Sequence, residues 1–158
     1  MDSPGWKEAV DAAISVWGPQ RVGLHLSPRA DIHSMGDSDL LATFTYVSRE
    51  MDKRNLAFLL VREHQASDSI GAALKQAFGG VYVANEQFTV AQAEKAITEG
   101  AADAVAFGVK FIANPDLPVR IKTAAPLNEP DPNTFYVGGA KGYIDYPALQ
   151  RSPAVCII

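Results

Sequence analysis

Two adjoining stretches, Ala101-Ala-Asp-Ala-Val-Ala-Phe-Gly108 and Val109-Lys-Phe-Ile-Ala-Asn-Pro-Asp-Leu117, decide the fold of this chain. The small and β-branched residues at 104–107 predict a short buried strand, and the glycine that follows them predicts a tight turn. Asn114 followed by a proline predicts the start of a helix, because proline is favoured at the first helical position. A strand, a turn and a helix in this order form one βα unit.

The same alternation of strand and helix occurs earlier in the chain. The predicted strands cover residues 21–26, 56–61 and 81–84. The predicted helices cover 4–17, 67–78 and 89–100, and a further helix runs from a cap at Asp37 or Ser38 to Met51. Thr89 and Gln92 form a capping box at the start of the helix at 89–100. Helical spacing places Val10, Ile14, Trp17, Leu40, Leu41, Phe44, Val47, Met51, Ala93, Ala96 and Ile97 on inner helix faces. The unbroken apolar run 56–61 is typical of a parallel strand covered on both faces. This alternation predicts an α/β protein with a parallel sheet, either open and doubly wound or part of a (β/α)8 barrel.

Composition and charge argue against several classes of function. The 158 residues carry a formal net charge of −4 and scattered Lys and Arg, which gives no electrostatic basis for binding nucleic acid or an anionic membrane. The single cysteine, Cys156, excludes an internal disulfide framework and indicates a reducing compartment. The residues after Met1 lack an apolar secretory core, and no apolar run approaches about 18 residues. We therefore expect a soluble, cytoplasmic protein.

In both the open doubly wound sheet and the barrel, ligands bind at the carboxyl ends of the strands. The residues at those ends are His25, the pair Glu63-His64, the segment 84–87, and Gly108 with Val109. Gly108 is the strongest candidate for a ligand contact, since a residue without a side chain admits close approach of a phosphate. Glu63-His64 and His33 lack a third ligand at a recognisable spacing, so we predict no metal site.

Several sequence motifs occur in a fixed order along almost the whole chain. In the second half they are Gly100-Ala-Ala-Asp-Ala-Val-Ala-Phe-Gly108, Phe111-Ile-Ala-Asn-Pro-Asp-Leu117, Ala125-Pro-Leu-Asn128, Thr134-Phe-Tyr136 and Gly142-Tyr-Ile-Asp-Tyr-Pro147. In the first half they are Val22-Gly-Leu-His-Leu-Ser-Pro28 and Lys53-Arg-Asn-Leu-Ala-Phe-Leu59. This set resembles the C-terminal half of the old yellow enzyme family, the FMN-dependent ene-reductases that include the N-ethylmaleimide reductases. The first-half motifs are similar to the fifth and sixth strands of the family barrel.

The resemblance implies a fold and a chemistry. The expected fold is a (β/α)4 half of a TIM barrel, holding strands five to eight. It would form one domain over residues 1–158, with a leading helix at 1–18, four βα units at 20–123 and a turn-rich segment at 124–158. The implied activity is FMN-dependent reduction of activated alkenes with NAD(P)H as electron donor. The family's N-terminal half carries the proton donor and the residues that bind the substrate carbonyl, so the resemblance assigns no catalytic residue to this chain.

The resemblance also implies cofactor and substrate contacts. The implied FMN contacts are His25, Asn85, Glu86, Gln87, Gly108 and Val109, and Tyr136 is expected to line the substrate pocket. Three of these positions depart from the family pattern. His25 stands where the family has an arginine near the flavin, residues 85–87 replace a glycine-rich phosphate turn, and Val109 replaces an arginine that clamps the phosphate. Loss of one such charge-assisted contact costs about 1.5–3 kcal/mol.

Each implied contact also has a purely architectural interpretation. His25 could be a half-buried histidine satisfied by a neighbouring loop, and Gly108 could simply form the turn between strand and helix. Glu86 could be a surface loop residue, and Tyr136 could anchor the C-terminal segment. The residues alone leave both interpretations open.

The resemblance leaves two hypotheses for function and two for partners. The chain is either half of an FMN-dependent ene-reductase, inactive on its own, or a truncated, non-catalytic remnant that folds and oligomerises without flavin. Four parallel strands leave two open edges and an exposed inner face, which is unfavourable for a monomer. We therefore expect a homo-oligomer or a complex with a complementary N-terminal half-barrel, and favour self-association.

Overall fold

The computed structural model describes residues 5–29, 37–136 and 138–149. Its helices are α1 (Gly5–Trp17), α2 (Leu40–Asp52), α3 (Gly71–Phe78), α4 (Val90–Thr98), α5 (Val109–Ala113) and α6 (Leu117–Thr123), with a 3-10 turn at Pro19–Arg21. Its strands are β1 (Gly23–Leu26), β2 (Phe58–Arg62), β3 (Tyr82–Asn85) and β4 (Ala104–Ala106). The order of elements agrees with the alternation predicted from the sequence. No helix in these described ranges is long and apolar enough to cross a membrane.

The four strands form one parallel sheet in the order β1-β2-β3-β4. Each strand therefore pairs with its neighbour in the sequence, as successive right-handed βα units require. The registers align His25 with Leu60, Leu60 with Val83, and Arg62 with Asn85. Aligned residues of a sheet point to the same face, so the register tells which side chains share a side.

The two faces of the sheet differ in burial. One face, which we call the buried face, carries Leu59, Val61, Tyr82 and Ala84, all of them at most 6% exposed. The other face, which we call the open face, carries His25, Leu60, Arg62, Val83 and Asn85. On this face Phe58 is 39% exposed and none of the strand residues is buried. The prediction that the strand at 56–61 is covered on both faces is therefore wrong for this chain. The exposed inner face that we expected for a half-barrel is present.

The core of the sheet-bearing part lies beside the buried face. Met51 of α2 and Leu74 and Phe78 of α3 are at most 1% exposed, and the two helices pack against each other. The side chain of Asp39 accepts a hydrogen bond from the Ala42 amide and caps α2, so the predicted cap at Asp37 or Ser38 is wrong by one or two residues. The predicted capping box of Thr89 and Gln92 is present at the start of α4.

Some residues predicted to face inward are exposed. Trp17, Leu41 and Ile97 are 63%, 50% and 49% exposed, respectively. Each lies on a predicted inner stripe whose other members include a buried residue, such as Val10 or Met51. The sequence period therefore located the inner face of each helix correctly but overestimated its width.

The described parts of residues 1–106 and 107–158 form two compact units. The first holds α1 to α4 and the whole sheet, and the second holds α5, α6 and the turn-rich segment. That residues 1–158 form a single domain stays a prediction.

A polar core holds the second unit together. Asn114, 1% exposed, donates from Nδ2 to the Lys110 carbonyl and accepts a bond from the Asn128 amide. Arg120, 4% exposed, pairs with Asp116 at 2.6 Å. Asn114 follows α5, and α6 begins after Asp116. The prediction that Asn114 with its proline opens a helix is therefore wrong, because the Asn114 side chain is used to join backbone segments.

Candidate functional site

The carboxyl ends of the strands present polar side chains on the open face. His25 on β1, Arg62 on β2 and Asn85 on β3 all lie on this face by register. His25 is exposed, and no described residue hydrogen-bonds its ring. The interpretation of His25 as half-buried is therefore wrong, and within the described ranges its ring has no hydrogen-bond partner.

The turn formed by Asn85, Glu86 and Gln87, here the 85–87 turn, has an unusual backbone. Glu86 has φ of 92° and Gln87 has φ of 57°, two consecutive left-handed conformations in residues other than glycine. Such conformations cost about 1–3 kcal/mol each and occur most often at functional sites. Phe88, 4% exposed, follows the turn directly. The chain therefore adopts a turn suited to glycine without having glycine.

The side chains of the turn have defined partners. Asn85 Nδ2 donates to the Ala106 carbonyl at 2.8 Å, and the Asn85 carbonyl accepts from the Glu63 amide at 3.1 Å. Asn85 thereby ties β3 to both neighbouring strands where the regular ladder ends. Glu86 Oε1 accepts from Arg62 Nη2 at 3.0 Å, while Gln87 is exposed. The Glu86 carboxylate is thus directed toward a cation, so Glu86 is more than a surface loop residue.

Arg62 is a polar residue at these strand ends that was not among the predicted site residues. It is the last residue of β2, two positions beyond Leu60 and on the same face as His25. The predicted strand 56–61 ends one residue too early, and extending its alternation of side chains to residue 62 places Arg62 on this face.

Glu63 is a structural residue at the end of β2. Its side chain is 3% exposed and accepts from Arg29 Nε at 2.8 Å, from Ser69 Oγ at 2.7 Å, and from the Ile70 and Gly71 amides at 3.0 Å each. The predicted helix at 67–78 consequently starts at Gly71, because residues before it bind this carboxylate. The network joins the loop after β1 to the loop after β2.

Arg29 forms ion pairs with Glu63 and Asp68. Hydrogen bonding to Glu63 raises the pKa of Arg29, and the Arg29 guanidinium lowers the pKa of Asp68. Burial, followed by the nearby charge of Glu63, raises the pKa of the Tyr82 hydroxyl. No described group of three or more His, Cys, Asp and Glu side chains is arranged to hold a metal ion. His33 and Cys156 lie outside the described residues.

The second unit brings Gly108 and Tyr136 together. Among the described residues, a Cβ built on Gly108 would meet only the Tyr136 hydroxyl, at 3.6 Å, and the φ of Gly108 is −91°. The turn itself therefore does not need glycine for its φ, and no other described atom fills the space beside the residue. Val109, half-buried, begins α5 directly after it.

The backbone of Tyr136 is hydrogen-bonded, whereas its ring is largely exposed. Its side chain is 71% exposed and packs edge-to-face on Phe135 at a centroid distance of 5.3 Å. Its φ is 66°, and its amide donates to the Tyr143 hydroxyl. A ring this exposed does little to anchor the C-terminal segment, and its hydroxyl stands beside Gly108.

Comparisons with known proteins give a consistent family. The chain is 42% identical over 145 residues to a probable flavin mononucleotide-dependent alkene reductase of Leishmania infantum, covering 90% of this chain and 40% of that protein. The old yellow enzyme from Trypanosoma cruzi superposes with a TM-score of 0.86 at 36% identity, and the match covers 92% of this chain and 40% of the Trypanosoma cruzi chain. The chain belongs to the old yellow enzyme family. Morphinone reductase in complex with tetrahydroNAD superposes with a TM-score of 0.85 at 41% identity, over 91% of this chain and 40% of that chain. No protein-family model matches the sequence.

The old yellow enzyme comparisons define how much of a barrel is present. The chain spans about 40% of the length of the curated relatives and solved structures it matches. With four parallel strands alternating with helices, it has the fold of half a TIM barrel. The resemblance stated from the motifs is therefore confirmed at the level of family and fold class.

Proposed function

We propose that this chain is the C-terminal half of an FMN-dependent NAD(P)H oxidoreductase that reduces activated alkenes such as enones, maleimides or nitro compounds. The observation that carries the proposal is the 85–87 turn, which keeps two left-handed residues at the carboxyl end of β3 despite their cost. Retaining that backbone is expected if its amides bind a ligand. The alkene reductase of Leishmania infantum, 42% identical, supports a flavin as that ligand.

The chemistry of the donors fits a phosphorylated flavin. The exposed His25 imidazole offers a hydrogen-bond donor to a flavin ring, and the 85–87 turn offers backbone amides to a phosphate. The open space at Gly108 would be filled by a Cβ in any other residue. We propose that these residues, with Val109, contact FMN, which when bound supplies the hydride for alkene reduction.

Tyr136 is proposed to line the substrate side of this site. Its hydroxyl is near Gly108 and its ring is largely exposed, so it is positioned to contact a ligand rather than the core. The proton donor and the residues that bind the substrate carbonyl are proposed to lie in the part of the relatives that this sequence does not match. Catalysis therefore requires a second half-barrel.

We propose that, where no separate N-terminal half is present, a second copy of the chain covers the open face. Phe58, Leu60 and Val83 give this face an apolar centre, and Phe58 is 39% exposed. The edges of β1 and β4 are the ends of the sheet, and pairing them between copies would remove both edges. Light scattering should find a dimer or larger species that Leu60→Lys dissociates. A stable wild-type monomer would contradict this part of the proposal.

Complementation tests the enzymatic proposal. The full chain, FMN and a separately expressed N-terminal portion of a relative are mixed, and alkene-dependent NAD(P)H oxidation is followed with N-ethylmaleimide or an enone. We expect activity only when both polypeptides are present, and loss of activity with Gly108→Leu. A soluble mixture that holds FMN but oxidises no NAD(P)H in response to alkene would contradict the proposal. A soluble oligomer that never takes up FMN would instead support a non-catalytic remnant.

A further inference from the structure

The proposed FMN contacts provide no permanent positive charge for the phosphate. His25, Asn85, Gln87, Gly108 and Val109 include no permanent cation. A phosphate monoester carries between one and two negative charges near neutral pH. Glu86, in the middle of the 85–87 turn, would add a repelling carboxylate next to it. A phosphate would bind poorly here unless another residue supplied positive charge.

Arg62 supplies that charge at the right place. It is register-aligned with Asn85 on the open face, and its Nη2 donates to Glu86 Oε1 at 3.0 Å. The Arg62 side chain is 43% exposed, and the Glu86 side chain is 21% exposed. The guanidinium is therefore adjacent to the strained turn and still accessible from solvent.

The ion pair uses only part of the hydrogen-bonding capacity of Arg62. A guanidinium has five N–H donors in a planar fork, which matches a phosphate bidentately. Among the described residues Glu86 is its one recorded side-chain partner, through one nitrogen and one oxygen. The remaining donors can bind a second anion while Glu86 holds the guanidinium at the turn.

We propose that Arg62 binds the phosphate monoester of the flavin, and that Glu86 positions Arg62 and lowers its affinity for the phosphate. This inference rests on the proposed function and extends its binding site by one residue. It assigns opposite effects to the two members of the ion pair: Arg62 promotes phosphate binding, and Glu86 opposes it. A pair that merely stabilised the turn would give both substitutions the same sign.

The test is titration of the full chain with FMN and with riboflavin, which lacks the phosphate, followed by quenching of flavin fluorescence. Arg62→Gln should weaken FMN binding about ten- to a hundred-fold and leave riboflavin binding unchanged. Glu86→Gln should strengthen FMN binding. Arg49→Gln, the same change at an exposed position of α2, is the matched control and should change neither affinity. Inorganic phosphate is titrated as a separate ligand, and should bind far more weakly than FMN.

Each alternative result is informative. If the wild-type chain binds neither flavin, the proposed function fails and the inference fails with it. If FMN binds and Arg62→Gln leaves its affinity unchanged, the inference alone is overturned. Equal weakening of FMN and riboflavin, or weakening by both Arg62→Gln and Glu86→Gln, would show that the pair supports the turn or the flavin ring. Inorganic phosphate binding as tightly as FMN would overturn the assignment to the cofactor.

Discussion

Replacing Glu63 should destabilise the sheet-bearing unit more than any exposed acidic substitution. The side chain is 3% exposed and accepts four hydrogen bonds, one of them in the ion pair with Arg29 at 2.8 Å. Glu63→Ala would leave the Arg29 guanidinium, the Ser69 hydroxyl and the Ile70 and Gly71 amides without this partner. Removing one member of a buried ion pair costs about 3–5 kcal/mol. Glu63→Gln keeps the volume and one oxygen, so we expect a smaller loss of about 1.5–3 kcal/mol.

Urea unfolding measures these losses. Trp6 and Trp17 both lie on α1, so tryptophan fluorescence reports on the first unit, and circular dichroism follows the helices. Glu94→Gln, at an exposed position of α4, is the matched control and should change the free energy of unfolding by less than about 0.5 kcal/mol. Hydrogen exchange at the Ile70 and Gly71 amides should accelerate in the Glu63 variants. If Glu63→Gln behaved like Glu94→Gln, the Glu63 network would not hold these loops.

Three further predictions concern the second unit. Gly108→Ala should change the free energy of unfolding by less than about 1 kcal/mol, since the one described atom near its Cβ is a hydroxyl oxygen at 3.6 Å, yet weaken FMN binding by about 1–3 kcal/mol in a titration. Gly142→Ala should destabilise the unit by about 2–4 kcal/mol in thermal unfolding, because φ is +80° and the Cβ would lie 2.1 Å from Thr134 Oγ1. Hydrogen bonding to Arg120 holds the pKa of Asp116 below its ordinary value of 3.8. The stabilisation of the fold by the ionised Asp116 is therefore complete above that pH and is lost as pH falls through the lowered pKa. The free energy of unfolding of Asp116→Asn, measured by acid unfolding, should therefore depend less on pH below about 4.

The architecture could be predicted from the sequence because its signals are local. The strand at 81–84 and the capping box of Thr89 and Gln92 depend on residues close together in the chain, and both are confirmed within one residue. The parallel order of the sheet follows from the alternation of elements and the handedness of their connections. The motifs identified the family for the same reason, as they preserve order and spacing.

Errors arose where a distant residue decides local structure. The start of α3 moved from residue 67 to Gly71 because Glu63, earlier in the chain, binds the intervening residues. Asn114 resembled a helix cap but joins α5 to the segment around Asn128. The residue types alone do not show that these hydrogen bonds form.

The candidate site was predicted by position but not by geometry. His25 was located correctly at the end of β1, yet its exposure on the open face depends on the strand register. The left-handed backbone at Glu86 and Gln87 contradicts the usual preferences of those residues. The pairing of Arg62 with Glu86 joins residues 24 positions apart, one at the end of β2 and the other in the turn after β3. Sequence patterns gave no reason to connect them.

Equilibrium dialysis of the full chain against FMN tests the central claim most directly. If this half-barrel carries the flavin-phosphate contacts, the protein will retain FMN saturably and in preference to riboflavin, and Gly108→Ala will retain less. Retention of no more FMN than the surrounding buffer, by protein that circular dichroism shows to be folded, would contradict the account.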